Sequence, residues 1–528
     1  MAISFRQQLT SLRDTLNPFV KTLETYHSFS IRWSQFFQKA PLLLLSIGFL
    51  LGIALATEKR IVLGVVASLL LVLSLKSKNS WALVLFFSLG ILYAAALVKV
   101  PPKGSSALSG TALFHPDSIS PIKQSGKDAL AFKGTIQYFA GSDGVILAKN
   151  IPSAFSIKDF QGPLPSSDSA WTIKGVLQEG KGRLWKFKPT SPVFWKEEPK
   201  TFSWNKMREG WKFQLKSYIQ KNIPGEKNQN LIAGMVTGSF SDQEITQGFQ
   251  RFGLQHILAI SGFHFSLFAL IATMLLKPFF KGKILLILLT LSVTSYFIFL
   301  GPTPSVQRAW VMIVLSQAAS VFERRISPFN ALGAALFLTL LYDPLSLQSP
   351  GFILSFAITL SILAFTPLST NLLDALFPQR TFEEASQMSG VDKMGFIAFN
   401  ALKKMTALNL AVHAAALPLT LALFGSFPLL SILFNLFFPT LAGFVIFLFI
   451  LSALLYTLFE PIGTALFALT SKASNLLLSF ALDMPASWNI QLSFSLAADW
   501  AIALSFLLLI LAVAAGQKVE ETGERAVF

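Results

Sequence analysis

Long apolar runs, separated by short polar or charged stretches, recur along most of this chain, beginning with 41–56. Inside a bilayer only an α-helix or a closed β-barrel satisfies every backbone hydrogen-bonding group, and a helix needs about 20 apolar residues to cross. Hydrophobic residues make up 53% of the chain and charged residues only 13%, whereas a soluble domain carries about 25% charged residues. The sequence therefore predicts a polytopic α-helical membrane protein with about 10–12 transmembrane or re-entrant helices.

The apolar runs predict an alternating topology. A basic N-terminal arm, taken as cytoplasmic by the positive-inside rule, leaves 100–228 outside the cytoplasm and a tail at 517–528 inside. Several runs are only about 15–17 residues long and contain Pro or Gly, which favours re-entrant or discontinuous helices. The candidate crossings are 41–56, 61–75, 80–98, 254–276, 284–300, 307–322, 328–342, 350–366, 406–424, 430–456, 462–482 and 499–516.

The segment 100–228 contains no apolar run of membrane length. It is basic, with 19 Lys and Arg against 10 Asp and Glu, a net charge of +9. Turn residues separate short β-like segments in it, which predicts a small barrel of the oligonucleotide/oligosaccharide-binding (OB) type. A basic amphipathic helix is predicted at 205–221. The β-like segments are 130–138, 144–149, 171–177, 182–188 and 191–195.

Two of these segments, GRLWKFKP and SPVFWKEEPK, interleave cations with aromatic residues. Cations that meet phosphates, beside aromatic rings that stack on bases, are typical of single-stranded nucleic-acid binding. The alternative is a barrel core flanked by solvated lysines. The residues predicted to bind single-stranded DNA here are Arg183, Trp185, Lys186, Lys188 and Trp195.

The run 253–271, GLQHILAISGFHFSLFALI, sets polar residues in an apolar stretch. Polar groups at membrane depth are costly, so they usually face a cavity or a path rather than lipid. Ser261 and His264 are three residues apart and would share a helix face, with His256 about 80° from His264. Gly262, in the Ser-Gly pair, is predicted to belong to the same path. The predicted role is to line or gate a polar path; helix–helix hydrogen bonding and catalysis are the alternatives.

Further polar residues interrupt the later apolar runs. An arginine in hydrocarbon costs about 2.5–3.5 kcal/mol, so Arg308 either meets an anion or extends to the lipid head groups. An Asp before a Pro is also a common helix stop, and an intramembrane Asn also bridges helices. The residues predicted to contribute to the polar path are Arg308, Asp343, Ser349, Ser355, His413 and Asn435.

Several kinds of chemistry lack the residues they need. Cysteine is absent, so no disulfide, thiolate metal site or cysteine nucleophile is possible. The five histidines never occur as HxH or HExxH. Carboxylates are nearly absent from the apolar runs. We therefore expect no cofactor, no bound metal and no catalytic site.

Four motifs together resemble the ComEC/Rec2 competence family. They are GLQHILAISGFHF, GPTPSVQRAWVM, NALGAALFLTLLYDPLSLQSPGFILSF and AALPLTLALFGSFPLLSILFNLFFP. They occur in the family's order and cover about 230–440. The resemblance implies a membrane channel at 229–516, preceded by an arm with three helices at 1–99 and an OB-like extracytoplasmic domain at 100–228, and followed by the tail at 517–528.

The resemblance also implies a function: translocation of single-stranded DNA across the bacterial inner (plasma) membrane during natural transformation. Many members carry a C-terminal metallo-β-lactamase-like domain with HxHxDH, which this sequence lacks, so it resembles the shorter members. The implied partners are single-stranded DNA, membrane lipid, a cytoplasmic DNA translocase or ATPase, an extracytoplasmic DNA receptor and a separate nuclease.

Two other functions stay open from the residues alone. Ala259-Ile-Ser261-Gly262 is similar to the GxSG of intramembrane serine proteases, with His413 as the base. A small-solute transporter would use the same kind of polar path. The family resemblance favours DNA.

Overall fold

The computed structural model describes residues 36, 38–58, 80–99, 101, 107–124, 127–141, 143–158, 170–178, 185–190, 196–197, 204–238, 240, 242–260, 262–377 and 388–494. In chain order the elements are α1 (Pro41–Glu58), α2 (Ser80–Leu97), β1 (Leu108–Gln124), β2 (Lys127–Gly141), β3 (Ile146–Lys158), β4 (Trp171–Gln178), β5 (Trp185–Pro189), β6 (Lys196–Glu197), α3 (Trp204–Asn222), α4 (Glu226–Thr237), α5 (Gln243–Arg251), α6 (Gln255–Leu258), α7 (Gly262–Leu276), α8 (Gly282–Leu300), α9 (Pro304–Val321), α10 (Pro328–Tyr342), α11 (Pro350–Leu376), α12 (Gly390–Phe424), β7 (Ser426–Pro428), α13 (Ser431–Phe434), α14 (Phe438–Leu458), α15 (Glu460–Leu482) and β8 (Gln491–Ser493), with 3₁₀ turns at Pro344–Gln348 and Ala486–Trp488.

Among the described residues, five helices are long and apolar enough to cross a membrane: α8, α11, α12, α14 and α15. Four shorter apolar helices, α1, α2, α7 and α10, accompany them. The predicted multi-pass helical membrane protein is confirmed. The predicted crossings 61–75 and 499–516 lie outside the described residues.

Two predicted crossings are not continuous helices. The run 254–276 is divided into α6 and α7, because Ala259 is extended at φ −74° and ψ 132°. The run 430–456 is divided into α13 and α14, with Asn435 as the C-cap of α13. Apolar composition therefore found the membrane segments but not the breaks inside them.

The first five β-strands form a closed barrel, and β7 and β8 form a separate two-stranded sheet. Strands are hydrogen-bonded in the order β1-β2-β3-β5-β4 and back to β1, with β3 and β5 parallel and the other neighbours antiparallel. This is the strand connectivity of an OB barrel, so the predicted OB-like domain is confirmed. Phenylalanines dominate its buried core: Phe114, Phe132, Phe139, Phe155 and Phe187.

The longest strand, β1, was missed by sequence reasoning. Proline cannot donate to a sheet and argues against a strand, and β1 contains Pro116 and Pro121. The structure accommodates Pro116 at a β-bulge, where the register with β2 shifts between Pro116 and Ser118. The predicted strand 191–195 lies outside the described residues.

The barrel is attached to the membrane helices at two places. Asn150, at the left-handed φ of 52°, donates from Nδ2 to the carbonyl of Leu97 at the end of α2, at 3.1 Å. Leu345, in the 3₁₀ turn after α10, is 2% exposed and belongs to the hydrophobic core of the barrel. A membrane-domain residue thus completes the barrel core.

We predict that Leu345→Ala loosens the barrel from the membrane domain. A buried Leu→Ala change costs about 2–5 kcal/mol, and here the loss falls on the contact between the two parts. Limited proteolysis in membrane vesicles should cleave around the barrel faster than in the wild type. The matched control is Leu338→Ala in α10, where the side chain is 46% exposed. Equal cleavage rates in the two variants would contradict the prediction.

Helix α3, predicted as a basic amphipathic helix, lies across the end of α8. Arg208 Nε donates to the carbonyl of Ile298 at 2.7 Å, and Lys212 Nζ donates to that of Leu300 at 3.2 Å. Cations at a helix C-terminus satisfy its free carbonyls and its dipole. Burial lowers the pKa of Lys212, and the charge of Arg208 lowers it further.

Candidate functional site

The break between α6 and α7 brings the first two motifs together. Gly253 starts the first motif at φ +69°, a conformation that favours glycine. Ile260, in the break, offers its carbonyl to Ser305 Oγ of α9 at 3.0 Å. Non-helical backbone at membrane depth persists only where protein or a wet cavity satisfies it. Ser305 provides one such partner.

Arg308 lies directly against this break. A Cβ placed on Gly262 would be 3.1 Å from Arg308 Nη2, so the glycine makes room for the guanidinium. The Arg308 side chain is half-buried, and its Nε is fully buried. Within the described part of the chain it forms no ion pair or hydrogen bond. An unpaired cation in a membrane is costly. The guanidinium is therefore available to water or to an anion.

The last motif folds back toward the same place. Gly425 ends α12 at φ +72°, and the chain then returns along that helix. The Phe427 ring lies 5.9 Å from that of His413, and Asn409 Nδ2 donates to the carbonyl of Ile432 at 2.6 Å. Asn409 precedes the helix end by about 22 Å, from the rise per residue. The segment after α12 is thus re-entrant.

The re-entrant segment meets the first motif at Gly253. A Cβ on this residue would lie 2.7 Å from Pro428 Cγ and 2.7 Å from Ser431 Cβ. Phe252 and Phe434 also form an edge-to-face pair at 5.4 Å. Motifs that are more than 150 residues apart in the chain therefore share one site.

Three histidines lie on the segments that form this site. His413 packs against Phe427 at 5.9 Å, and Pro428, the next residue, lies against Gly253, three residues before His256. Nδ1 of His256 lies 3.1 Å from the carbonyl of Gly253, and Nδ1 of His413 lies 2.8 Å from that of Asn409. Because a carbonyl only accepts, Nδ1 carries a proton in both rings.

The three histidines differ in access. His264 is buried at 4% exposure. His256 is exposed at the surface of the protein. The two were predicted to share one helix, but they lie on opposite sides of the break.

The other predicted path residues divide into two groups. Asn435 and Ser355 each have a buried side-chain oxygen without a hydrogen bond in the described chain. Asp343 and Ser349 instead cap local structure: Asp343 Oδ1 accepts from the amide of Leu345 at 3.0 Å, and Ser349 Oγ accepts from that of Phe352 at 3.2 Å. These bonds support the helix-stop alternative for Asp343 and argue against a path role for both.

Three of the predicted site residues lie outside the described residues: Ser261, Arg183 and Trp195. In the part of the chain that the structure describes, no group of three His, Asp or Glu side chains could hold a metal ion. Sequence reasoning missed Asn409, although its position four residues before His413 on an apolar helix is a detectable signal.

The predicted DNA-binding residues of β5 alternate in exposure. Trp185 is 8% exposed and belongs to the barrel core, so it cannot offer an open ring to a base. This corrects its predicted stacking role in favour of the core alternative. Lys186 and Lys188 point outward and are exposed.

We predict that Lys186→Gln with Lys188→Gln weakens salt-sensitive binding of single-stranded DNA. Losing two phosphate contacts should reduce the slope of log affinity against log salt by about 1.4. Titration of the purified protein with a labelled oligonucleotide at several salt concentrations measures this slope. The control is Lys281→Gln with Lys283→Gln, which removes the same charge at the start of α8. An unchanged slope in the variant with both β5 lysines replaced would contradict the prediction.

Trp185→Ala should instead lower the Tm of the protein, because the lost ring leaves a cavity in the barrel core.

The fold and the site define a class: a multi-pass membrane protein with an OB-like barrel and broken membrane helices. Arg308, which has no partner among the described residues, and three histidines lie on its broken or neighbouring segments. The model of the family described as Competence protein matches residues 236–519, so the chain belongs to this family. ComE operon protein 3 of Bacillus subtilis (strain 168) is 24% identical over 222 residues, which cover 42% of this chain but only 25% of that protein. No solved structure matches the chain.

Proposed function

We propose that this protein is the channel that passes single-stranded DNA across the inner (plasma) membrane during natural transformation. Membership of the competence protein family supports a role in competence DNA uptake. The observation that carries the channel proposal is that two membrane segments are broken, with Arg308 against the first break at Gly262 and the last motif against the first motif at Gly253.

The chemistry of this cluster suits a passing polyanion. DNA cannot enter hydrocarbon unaided, so its path needs water, hydrogen-bond donors and positive charge. A deep site with several cations would hold the strand. One arginine that has no partner in the described chain attracts phosphates without forming a fixed cage. Discontinuous helices near mid-membrane form the substrate sites of many transporters.

The barrel has a role of its own in this proposal. On the predicted topology it faces outward, where exposed cations such as Lys186 and Lys188 would bind the strand before entry. A DNA receptor outside would deliver the strand and a cytoplasmic translocase or ATPase would pull it in. Membrane lipid surrounds the helices, and a separate nuclease would remove the second strand.

Deletion of the gene tests the proposal. Cells without the protein should still bind labelled DNA at the outer surface but should carry none into the cytoplasm. Restoration by the wild-type gene is the control. Normal entry of DNA in the deletion strain would contradict the channel proposal, and loss of surface binding alone would make the protein a receptor.

We also predict that the purified protein does not hydrolyse DNA. No histidine pair has metal-ligand spacing in the sequence, and a two-metal site would lack carboxylates. Protein in detergent, incubated with single- or double-stranded DNA and Mg²⁺, Mn²⁺ or Zn²⁺, should leave both intact. Degradation that disappears in His264→Ala would make the protein an enzyme. Labelling of Ser261 by a serine-directed probe would revive the intramembrane hydrolase alternative.

A further inference from the structure

Helices α11 and α12 carry a polar pocket far from the barrel. The two helices run antiparallel, joined in the middle by Ser361 Oγ, which donates to the carbonyl of Ala411 at 2.6 Å. Helix α11 begins five residues after Leu345, which belongs to the barrel core. Asp374 follows the start of α11 by about 36 Å of helix. The pocket beside Asp374 therefore lies toward the opposite face of the membrane.

A buried ion pair forms the floor of this pocket. Lys403 is 9% exposed, and its Nζ lies 2.7 Å from Asp374 Oδ1 and 3.3 Å from the carbonyl of Phe377. A lysine ammonium has three N–H donors. Among the described residues, these two contacts occupy two of the three donors of Lys403.

The remaining walls add positive charge and a further donor. The pocket has a volume of about 180 Å³, room for one phosphate group or a few waters. Lys404 is exposed at its rim and Asn400 offers an amide, while Asp374 is the carboxylate among the described lining residues. The described lining is Thr370, Asp374, Phe396, Asn400, Lys403, Lys404 and Ala407. These described residues together carry a net positive charge.

We propose that this pocket binds the phosphate of a phosphodiester at the membrane surface opposite the barrel. Among the described residues, Lys404 adds a second cation beside the Lys403–Asp374 pair, and the Asn400 amide and the Lys403 ammonium add directed donors. Two sources share this chemistry: the backbone of a DNA strand that leaves the path, which rests on the proposed function, and the head group of an anionic lipid.

Thermal unfolding of the full-length protein in detergent tests the site. Inorganic phosphate, compared with chloride at equal ionic strength, should raise the Tm of the wild type by a few degrees, because a ligand of the folded state stabilises it. Lys404→Gln should lose most of this shift. Lys393→Gln removes the same charge from an exposed position of α12 outside the pocket and should keep it. Lys403 is left intact, because its loss would strand Asp374 and destabilise the fold.

Three outcomes decide the proposal. No shift in the wild type, or an equal shift in all three proteins, overturns it. A shift that depends on Lys404 supports it. Because this readout needs no DNA uptake, the pocket and the proposed channel can fail separately.

The source of the phosphodiester is found by replacing inorganic phosphate with a short oligo-dT or with phosphatidylglycerol. A Lys404-dependent shift with the oligonucleotide assigns the pocket to DNA, and one with the lipid alone assigns it to a head group. If neither the oligonucleotide nor the lipid raises the Tm, the assignment to a phosphodiester is overturned.

Discussion

Arg308→Ala should lower the entry of DNA into the cytoplasm by about 100-fold, while DNA binding at the cell surface stays unchanged. The guanidinium has no protein partner in the described chain, so its charge is free for the strand. A charge-assisted hydrogen bond is worth about 1.5–3 kcal/mol, and about 1.4 kcal/mol corresponds to a factor of ten. Arg308→Lys should fall between the wild type and Ala, because it keeps the charge but loses the planar five-donor fork.

Uptake of labelled DNA into protease- and nuclease-treated cells measures this effect. The matched control is Arg324→Ala, which removes an exposed arginine beyond the end of α9. Membrane insertion is checked by immunoblot for every variant. Full uptake with Arg308→Lys would show that Arg308 serves as a head-group anchor, and full uptake with Arg308→Ala would remove it from the site.

Gly253→Ala should lower the Tm of the protein, and it should lower the entry of DNA by more than tenfold. A left-handed φ of +69° costs a residue with a Cβ roughly 1–2 kcal/mol. The added Cβ would also lie 2.7 Å from both Pro428 and Ser431. Because neither contact can be tolerated, the first motif must move away from the re-entrant segment and the histidines must separate.

The control for backbone strain is Gly282→Ala. Gly282 has a similar φ of +58°, but a Cβ there meets nothing within 4 Å. It should therefore show the strain alone, as a small loss of Tm with normal uptake. Equal losses of uptake in the two variants would mean that the contact between the first and last motifs does not matter for entry.

The sequence predicted the membrane segments and the barrel because both rest on patterns that are local in the chain. Apolar length indicates a crossing, and turn-separated β-like segments indicate a small barrel. Strand β1 escaped because Pro116 looks like a strand breaker until a bulge accommodates it. Trp185 was assigned to the surface because the interleaved cations resembled a binding stripe, whereas the period of two places Trp185 and Phe187 together in the core.

The candidate site was predicted in part. Its residue types were visible as polar interruptions of apolar runs, and the family resemblance grouped them. The place where these residues meet was not visible in the sequence. It depends on two broken helices, which bring Gly262 against Arg308 and Gly253 against Ser431. Asp343 and Ser349 are equally conspicuous in the sequence, and only their hydrogen bonds reveal them as caps.

The central claim, that a DNA strand passes the cluster around His256, is tested most directly by thiol labelling. The chain has no cysteine, so His256→Cys and Leu291→Cys each introduce a single thiol. Leu291 is 58% exposed on the membrane-length helix α8 and serves as the lipid-facing control. The account predicts that a water-soluble methanethiosulfonate reagent labels position 256 but not 291, and that single-stranded DNA held in transit protects position 256. Labelling of position 256 at the same rate with and without the strand would contradict it.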